Sequence, residues 1–175
     1  MNILQPIAII VGVVSGVSGL VLGILNYIHQ RDISRPRLVV RPRVLNFIDS
    51  DTGDTIFENA GVMEVHNVGH VSVYGSIIGF YLGRGIEALL PRSMNECCIV
   101  KNPESVNGIE WTRELRPQQV AMLRFNLDSL PDAKELRSAF AKTIVDDIFT
   151  AKRRDMRKFL KQYKEYRQKQ STDHK

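Results

Sequence analysis

For twenty positions, from Pro6 to Leu25, the chain carries no charged residue, and that run constrains everything around it. It reads PIAIIVGVVSGVSGLVLGIL; twelve of the twenty are Ile, Leu or Val, and the rest are Gly, Ser, Ala and Pro. At about 1.5 Å per residue such a helix reaches roughly 30 Å, the thickness of a bilayer core. It has no polar face to turn toward water, as a surface helix would. No Lys or Arg precedes the run and no small-x-small cleavage site is evident, which argues against a cleaved signal peptide. The expectation is one retained transmembrane helix, a single-pass anchor over residues 1–29.

Charge is divided into blocks, and the blocks suggest boundaries. Residues 30–43 form a basic juxtamembrane segment with Arg31, Arg35, Arg37, Arg41 and Arg43 against one Asp. Residues 44–150 hold nine basic and fifteen acidic side chains, and residues 151–175 hold ten basic and three acidic. Flanking arginines stay on the cytoplasmic side of a membrane. The five arginines therefore predict an inner (plasma) membrane protein with its N-terminus outside and its C-terminal domain cytoplasmic. Adjacent Cys97 and Cys98 pair poorly with one another and suit a reducing compartment.

Gly12, Gly16, Gly19 and Gly23 step by four, three and four, so at about 100° per residue they share one helix face, flanked by Ser15. Such a stripe lets a second helix approach closely. It predicts a helix–helix interface, with another copy of the chain or with a different membrane protein.

Residues 44–150 read as short strands separated by turns. Leu38–Val40 and Val44–Ile48 are β-rich, and Pro36 and Pro42 hold extended backbone. Asp49–Asp54 is a turn cluster that hairpins into Thr55–Glu58. Val62–His66, Val71–Leu82, Cys97–Val100, Ile109–Trp111 and Val120–Leu127 continue the series, with Gly75 and Gly79 as candidate bulges. Asp132–Ser138 reads as one or two helical turns, and Phe140–Ile148 as a final strand. The fold class expected is mainly β with flanking helices: an N-terminal transmembrane helix, a small antiparallel sandwich over 44–150, and a basic C-terminal helix over 151–175.

The order of these features carries a resemblance. The apolar run followed by Arg-Pro-Arg-Leu-Val-Val, then Val65-His66-Asn67-Val68-Gly69-His70 leading to Ile78-Gly79-Phe80, resembles a loose group of small bacterial single-span proteins. Leu115–Val120 and the stretch around Asp147 are similar as well. The resemblance implies an immunoglobulin-like β-sandwich on one anchor and brings no catalytic residue with it. The chain departs from the group in Gln119, where a turn glycine is usual, and in its long basic tail.

Motifs for chemistry are sparse. Gly83-Arg84-Gly85-Ile86-Glu87-Ala88 has the outline of a dinucleotide loop, but Pro91 stops the helix that would hold a pyrophosphate. Asp49–Asp54 has the outline of a calcium loop with its glycine one position early and Ala60 at position twelve. His66 and His70 lack further ligands at metal spacing. Asp146 and Asp147, adjacent on a strand, would point to opposite faces. No enzyme activity, cofactor or metal is expected.

Residues 149–167 read FTAKRRDMRKFLKQYKEYR. Phe149, Met156, Leu160 and Tyr163 share a helical face with Phe159 and Tyr166 at its shoulder, and Arg153, Arg154, Arg157, Lys158, Lys161, Lys164 and Arg167 fill most of the rest. Three uses compete for this basic amphipathic helix: docking on the sandwich, lying on anionic lipid, or binding an acidic partner such as nucleic acid. The sequence supports a membrane-anchored module for protein–protein interaction or scaffolding. A membrane-tethered nucleic-acid binder is the alternative, and a small-ligand sensor or an enzyme without a recognisable motif is the third option.

Overall fold

Two long strands set the frame. In the computed structural model, which describes residues 4–48, 52–83 and 96–173 and only the backbone of residues 4–14, 32 and 173, β1 (Leu38–Ile48) pairs antiparallel with β2 (Thr55–Asn67). Leu38, Val40, Pro42 and Val44 point into the core, while Arg41 and Arg43 alternate outward. Pro42, read as holding extended backbone, lies inside β1, which joins the two stretches Leu38–Val40 and Val44–Ile48. The Val44 amide faces away from β2 and donates to Gln162 Oε1 at 3.4 Å. By strand alternation the proline nitrogen faces the same open edge, where no ladder bond is lost. Gly53, at φ 75°, forms part of the connecting turn.

The remaining strands are β3 (Val73–Leu82), β4 (Cys97–Ile99), β5 (Glu104–Ser105), β6 (Glu114–Leu115), β7 (Val120–Phe125), β8 (Leu136–Thr143) and β9 (Ile148–Thr150). One sheet has the order β1-β2-β7-β5 and the other β4-β3-β8-β9, with β6 also paired to β3. Every pairing is antiparallel. Met63 and Val65 of β2, Leu123 of β7, and Ile78 and Phe80 of β3 meet between the sheets in one core. This is a β-sandwich-like fold.

Two buried groups fix its local geometry. Asn67 is fully buried; its Nδ2 donates to the carbonyls of Val71 (2.8 Å) and Leu115 (2.9 Å), and its Oδ1 accepts from the Gly69 amide (3.0 Å). One side chain thus ties the turn after β2 to β6. The other group is Trp111, 3% exposed, which packs directly on Gly75, where an added Cβ would lie 2.0 Å from the indole. The β3–β8 register shifts just after Gly75, as a bulge requires.

Three local expectations are corrected. Ile109–Trp111 is irregular: the Trp111 indole lies on Gly75 and the Gly75 amide donates to the Trp111 carbonyl at 3.1 Å, one bond to β3 that does not extend into a ladder. Asp132–Glu135 is a turn closed by the Glu135 amide on the Asp132 carbonyl at 2.9 Å, and β8 has begun by Leu136. Asp146 and Asp147 sit in the β8–β9 turn, with Asp146 at φ 65° and Thr143 Oγ1 accepting from the Asp147 amide at 3.2 Å.

The larger correction concerns the N-terminus. Helix α1 (Leu4–Ile33) belongs to a compact unit of residues 1–35, and Pro36–Lys175 forms a second. Among the described residues no helix is long and apolar enough to cross a membrane. The fold class is therefore mainly β with helices, without the predicted transmembrane, single-pass element. Past Leu25 the helix runs on through Asn26, His29, Gln30 and Arg31, so its C-terminal turns are polar. Gly12 lies outside the described side chains.

Gly75→Ala forces a methyl group against Trp111. It is expected to cost about 1–3 kcal/mol, read as a lower urea midpoint with the denaturant slope unchanged.

Candidate functional site

The C-terminal helix α2 (Arg153–Asp173) supplies both part of the core and the most strongly charged surface. Its start is closed by the Lys152 carbonyl, which accepts from the amides of Asp155 and Met156, each at 3.0 Å. Asp155 in the first turn suits the positive end of the helix dipole.

The inner face is aromatic. Phe159 and Tyr163 are fully buried, and Met156 nearly so. The Phe159 ring stacks on Phe80 at 5.3 Å and on Tyr163 at 5.9 Å, and Phe80 meets Phe125 edge-on at 5.7 Å. Phe159 thereby meets β3, and Gln162 meets β1, so the helix reaches a strand of each sheet. Tyr163 Oη lies 3.0 Å from the Leu130 carbonyl and 3.1 Å from that of Pro131, so its single proton is shared between acceptors. Burial raises the Tyr163 phenol above the ordinary tyrosine value. Tyr166 donates to Asp128 Oδ1 at 2.9 Å, and its phenol is also raised, first by burial and then by that carboxylate. Of the three uses weighed for the tail, docking on the sandwich is the one the structure shows for its apolar face.

Docking turns the cations outward. Arg153, Arg154, Arg157, Lys158, Lys161 and Lys164 are all exposed, and none makes an ion pair among the described residues. Arg167 is different: it is half-buried, its guanidinium 5.7 Å from the Tyr163 ring and 3.4 Å from the Leu130 carbonyl. On the neighbouring edge, Arg43 is bound to Glu64 at 3.0 Å, whereas half-buried Arg41 has no carboxylate partner among the described residues. Arg41, Lys158 and Asp155 line a cleft of about 240 Å³ between β1 and α2. Composition flagged the basic tail; the contribution of Arg41 emerges only from the packing of α2 beside β1.

The other candidates are dispersed. In α1, Gly16, Gly19 and Gly23 have open space where a Cβ would stand, and Val17, Leu20, Leu22 and Leu25 are exposed around them. Arg31 and Arg35 are exposed on the same unit, and Arg37 lies at the start of the other. Cys97 is exposed and Cys98 half-buried, both as free thiols; burial pushes the Cys98 thiol up, and the adjacent Cys97 adds to it. His66 and His70 join no group of three metal-binding side chains among the described residues. Arg84 and the loop after it, and Asp49–Asp51, lie outside the described residues. A cleft of about 270 Å³ opens near Ile78, Leu123 and Trp111; Trp111 Nε1 and Ser105 Oγ are buried there without a hydrogen-bond partner. Its carboxylate, Glu110, is engaged by Arg113 at 2.8 Å.

No family model matches the chain, and no curated protein or solved structure matches it.

Tyr163→Phe is expected to lower stability by about 1 kcal/mol at neutral pH, the typical net worth of one hydrogen bond. Because the folded-state phenol is raised, its contribution is complete below the ordinary value of about 10 and is lost as pH rises through the folded value. Denaturation curves from pH 8 to 11 should show wild type losing stability faster than Tyr163→Phe above about pH 10.

Proposed function

We propose that this chain is a non-enzymatic interaction module that docks through the outer face of α2 on a polyanionic partner. One observation carries the reading: six exposed Lys and Arg side chains stand on one face of a fixed helix without a counter-ion among the described residues. Like charges three and four residues apart repel by a few tenths of a kcal/mol per pair. A surface that accepts this cost and leaves its cations unpaired suits a ligand that brings the negative charge.

Heparin serves as a general polyanion for the test. The full-length chain should bind it at low salt and release it as salt rises. Arg154→Gln with Arg157→Gln and Lys161→Gln should weaken binding by about tenfold or more at low salt, since each neutralised contact removes a released counter-ion. Binding by the triple variant equal to wild type would place the interaction elsewhere.

Helix α1 supports a second contact of the same module. Its exposed Val17, Leu20, Leu22 and Leu25 surround glycines with room for a close neighbour, which fits self-association through a helix pair. Gly19→Leu fills that space and should shift the native mass of the full-length chain from a multiple of 19.9 kDa toward the monomer. An unchanged mass would remove the glycine face from the proposal.

A further inference from the structure

We infer that the polyanion recognised by α2 is double-helical DNA in the B form, bound with the helix in the major groove and without base-specific reading. The inference rests on the proposed polyanion-docking role and adds the shape of the ligand.

The angular spread of the charges carries it. With Arg153 at zero and about 100° per residue, Lys164, Arg157, Lys161, Arg154 and Lys158 fall at about 20°, 40°, 80°, 100° and 140°. The middle of this arc lies opposite Met156, Phe159 and Tyr163, which are buried against the sandwich. The cations thus cover the whole protruding side of the helix, and Glu165 is the one acid among them. A flat surface touching the middle of the arc meets Arg157, Lys161 and Arg154, while Arg153 and Lys158 point along it. A groove with charged walls on both sides engages the edges as well as the centre.

The dimensions agree. A helix with side chains is about 10–12 Å across, and the B-DNA major groove is about 12 Å wide and 8.5 Å deep. The major groove of A-form RNA is too narrow for this arrangement. From Arg153 to Lys164 the array extends roughly 16 Å along the axis, several phosphates on each strand at about 3.4 Å spacing. Beside the ridge, Arg41 across the cleft from Lys158 adds a shoulder cation where one phosphate backbone would run past β1, with Asp155 the carboxylate in that cleft. The aromatic residues of α2 are turned inward, so the face offers no platform for stacking unpaired bases.

The test measures binding of the full-length chain to a mixed-sequence 20-base-pair DNA duplex by fluorescence anisotropy across 50–300 mM KCl. Five or six neutralised phosphates predict a log–log salt slope of about −4.5 to −5.5. The edge variant Arg153→Gln/Lys158→Gln and the centre variant Arg157→Gln/Lys161→Gln should each make that slope shallower by about 2. All four side chains are exposed, so thermal midpoints should match wild type. An RNA duplex of the same sequence and vesicles of 30% phosphatidylserine in phosphatidylcholine should bind at least tenfold more weakly. If the edge variant keeps the wild-type slope, or the vesicles bind more tightly than DNA, the groove inference is overturned while polyanion docking stands. Failure to bind DNA, vesicles and heparin alike overturns both.

Discussion

Everything in the folded C-terminal unit depends on one aromatic run: Tyr163 on Phe159, Phe159 on Phe80, and Phe80 against Phe125. Phe80 belongs to β3 and Phe125 to β7, inner strands of opposite sheets, so Phe159 inserts the helix against a contact that already joins the two sheets. Full burial of one such ring is worth about 2–3 kcal/mol, a large fraction of the stability of a domain this size. Helix α2 is therefore a structural layer of the sandwich, and its position is set by the core.

That insertion makes the two sides of the sandwich unlike. On one side the edge strands β1 and β9 approach, and α2 covers the β1 edge, where Gln162 answers the Val44 amide. On the other side the edges are β4 and β5, three and two residues long. Short edges discourage strand-to-strand aggregation, and on this side they leave the cleft near Trp111. The indole that closes this region against Gly75 leaves its own N–H unpaired, a cost of about 1–3 kcal/mol.

Much of the sandwich is legible in the sequence because its strands alternate or carry β-branched runs. Leu38–Ile48, Val73–Leu82 and Val120–Phe125 are all visible in this way. What misled the reading were residues whose state is decided far along the chain. Trp111 sits in a stretch that reads as strand, but its place is set by Gly75, thirty-six positions earlier. The extended backbone at Pro42 continues as one strand because the proline nitrogen faces an open edge. The tail's periodicity reveals an apolar face through Met156 and Tyr163, but it sets Phe159, which is fully buried, at the shoulder and half-buried Leu160 on the face, and nothing local states what covers it. That cover includes Phe80, with the Leu130 and Pro131 carbonyls, all distant in sequence. The apolar run at 6–25 shows the opposite failure: composition alone suggested a span, and among the described residues α1 does not supply one.

The docking of α2 also explains how the chain tolerates its own charge. A 21-residue helix carrying like charges at positions three and four apart would be marginal alone in water. Here the stabilising contacts lie on the aromatic face and the repulsive ones on the opposite face, so neither need be compromised for the other. The charge array is then held in place before any ligand arrives. A disordered basic tail would have to lose its backbone freedom on binding, at about 1–2 kcal/mol per ordered residue. In this fold that ordering has already been met by the packing of Phe159 and Tyr163, so the proposed docking would not bear it again.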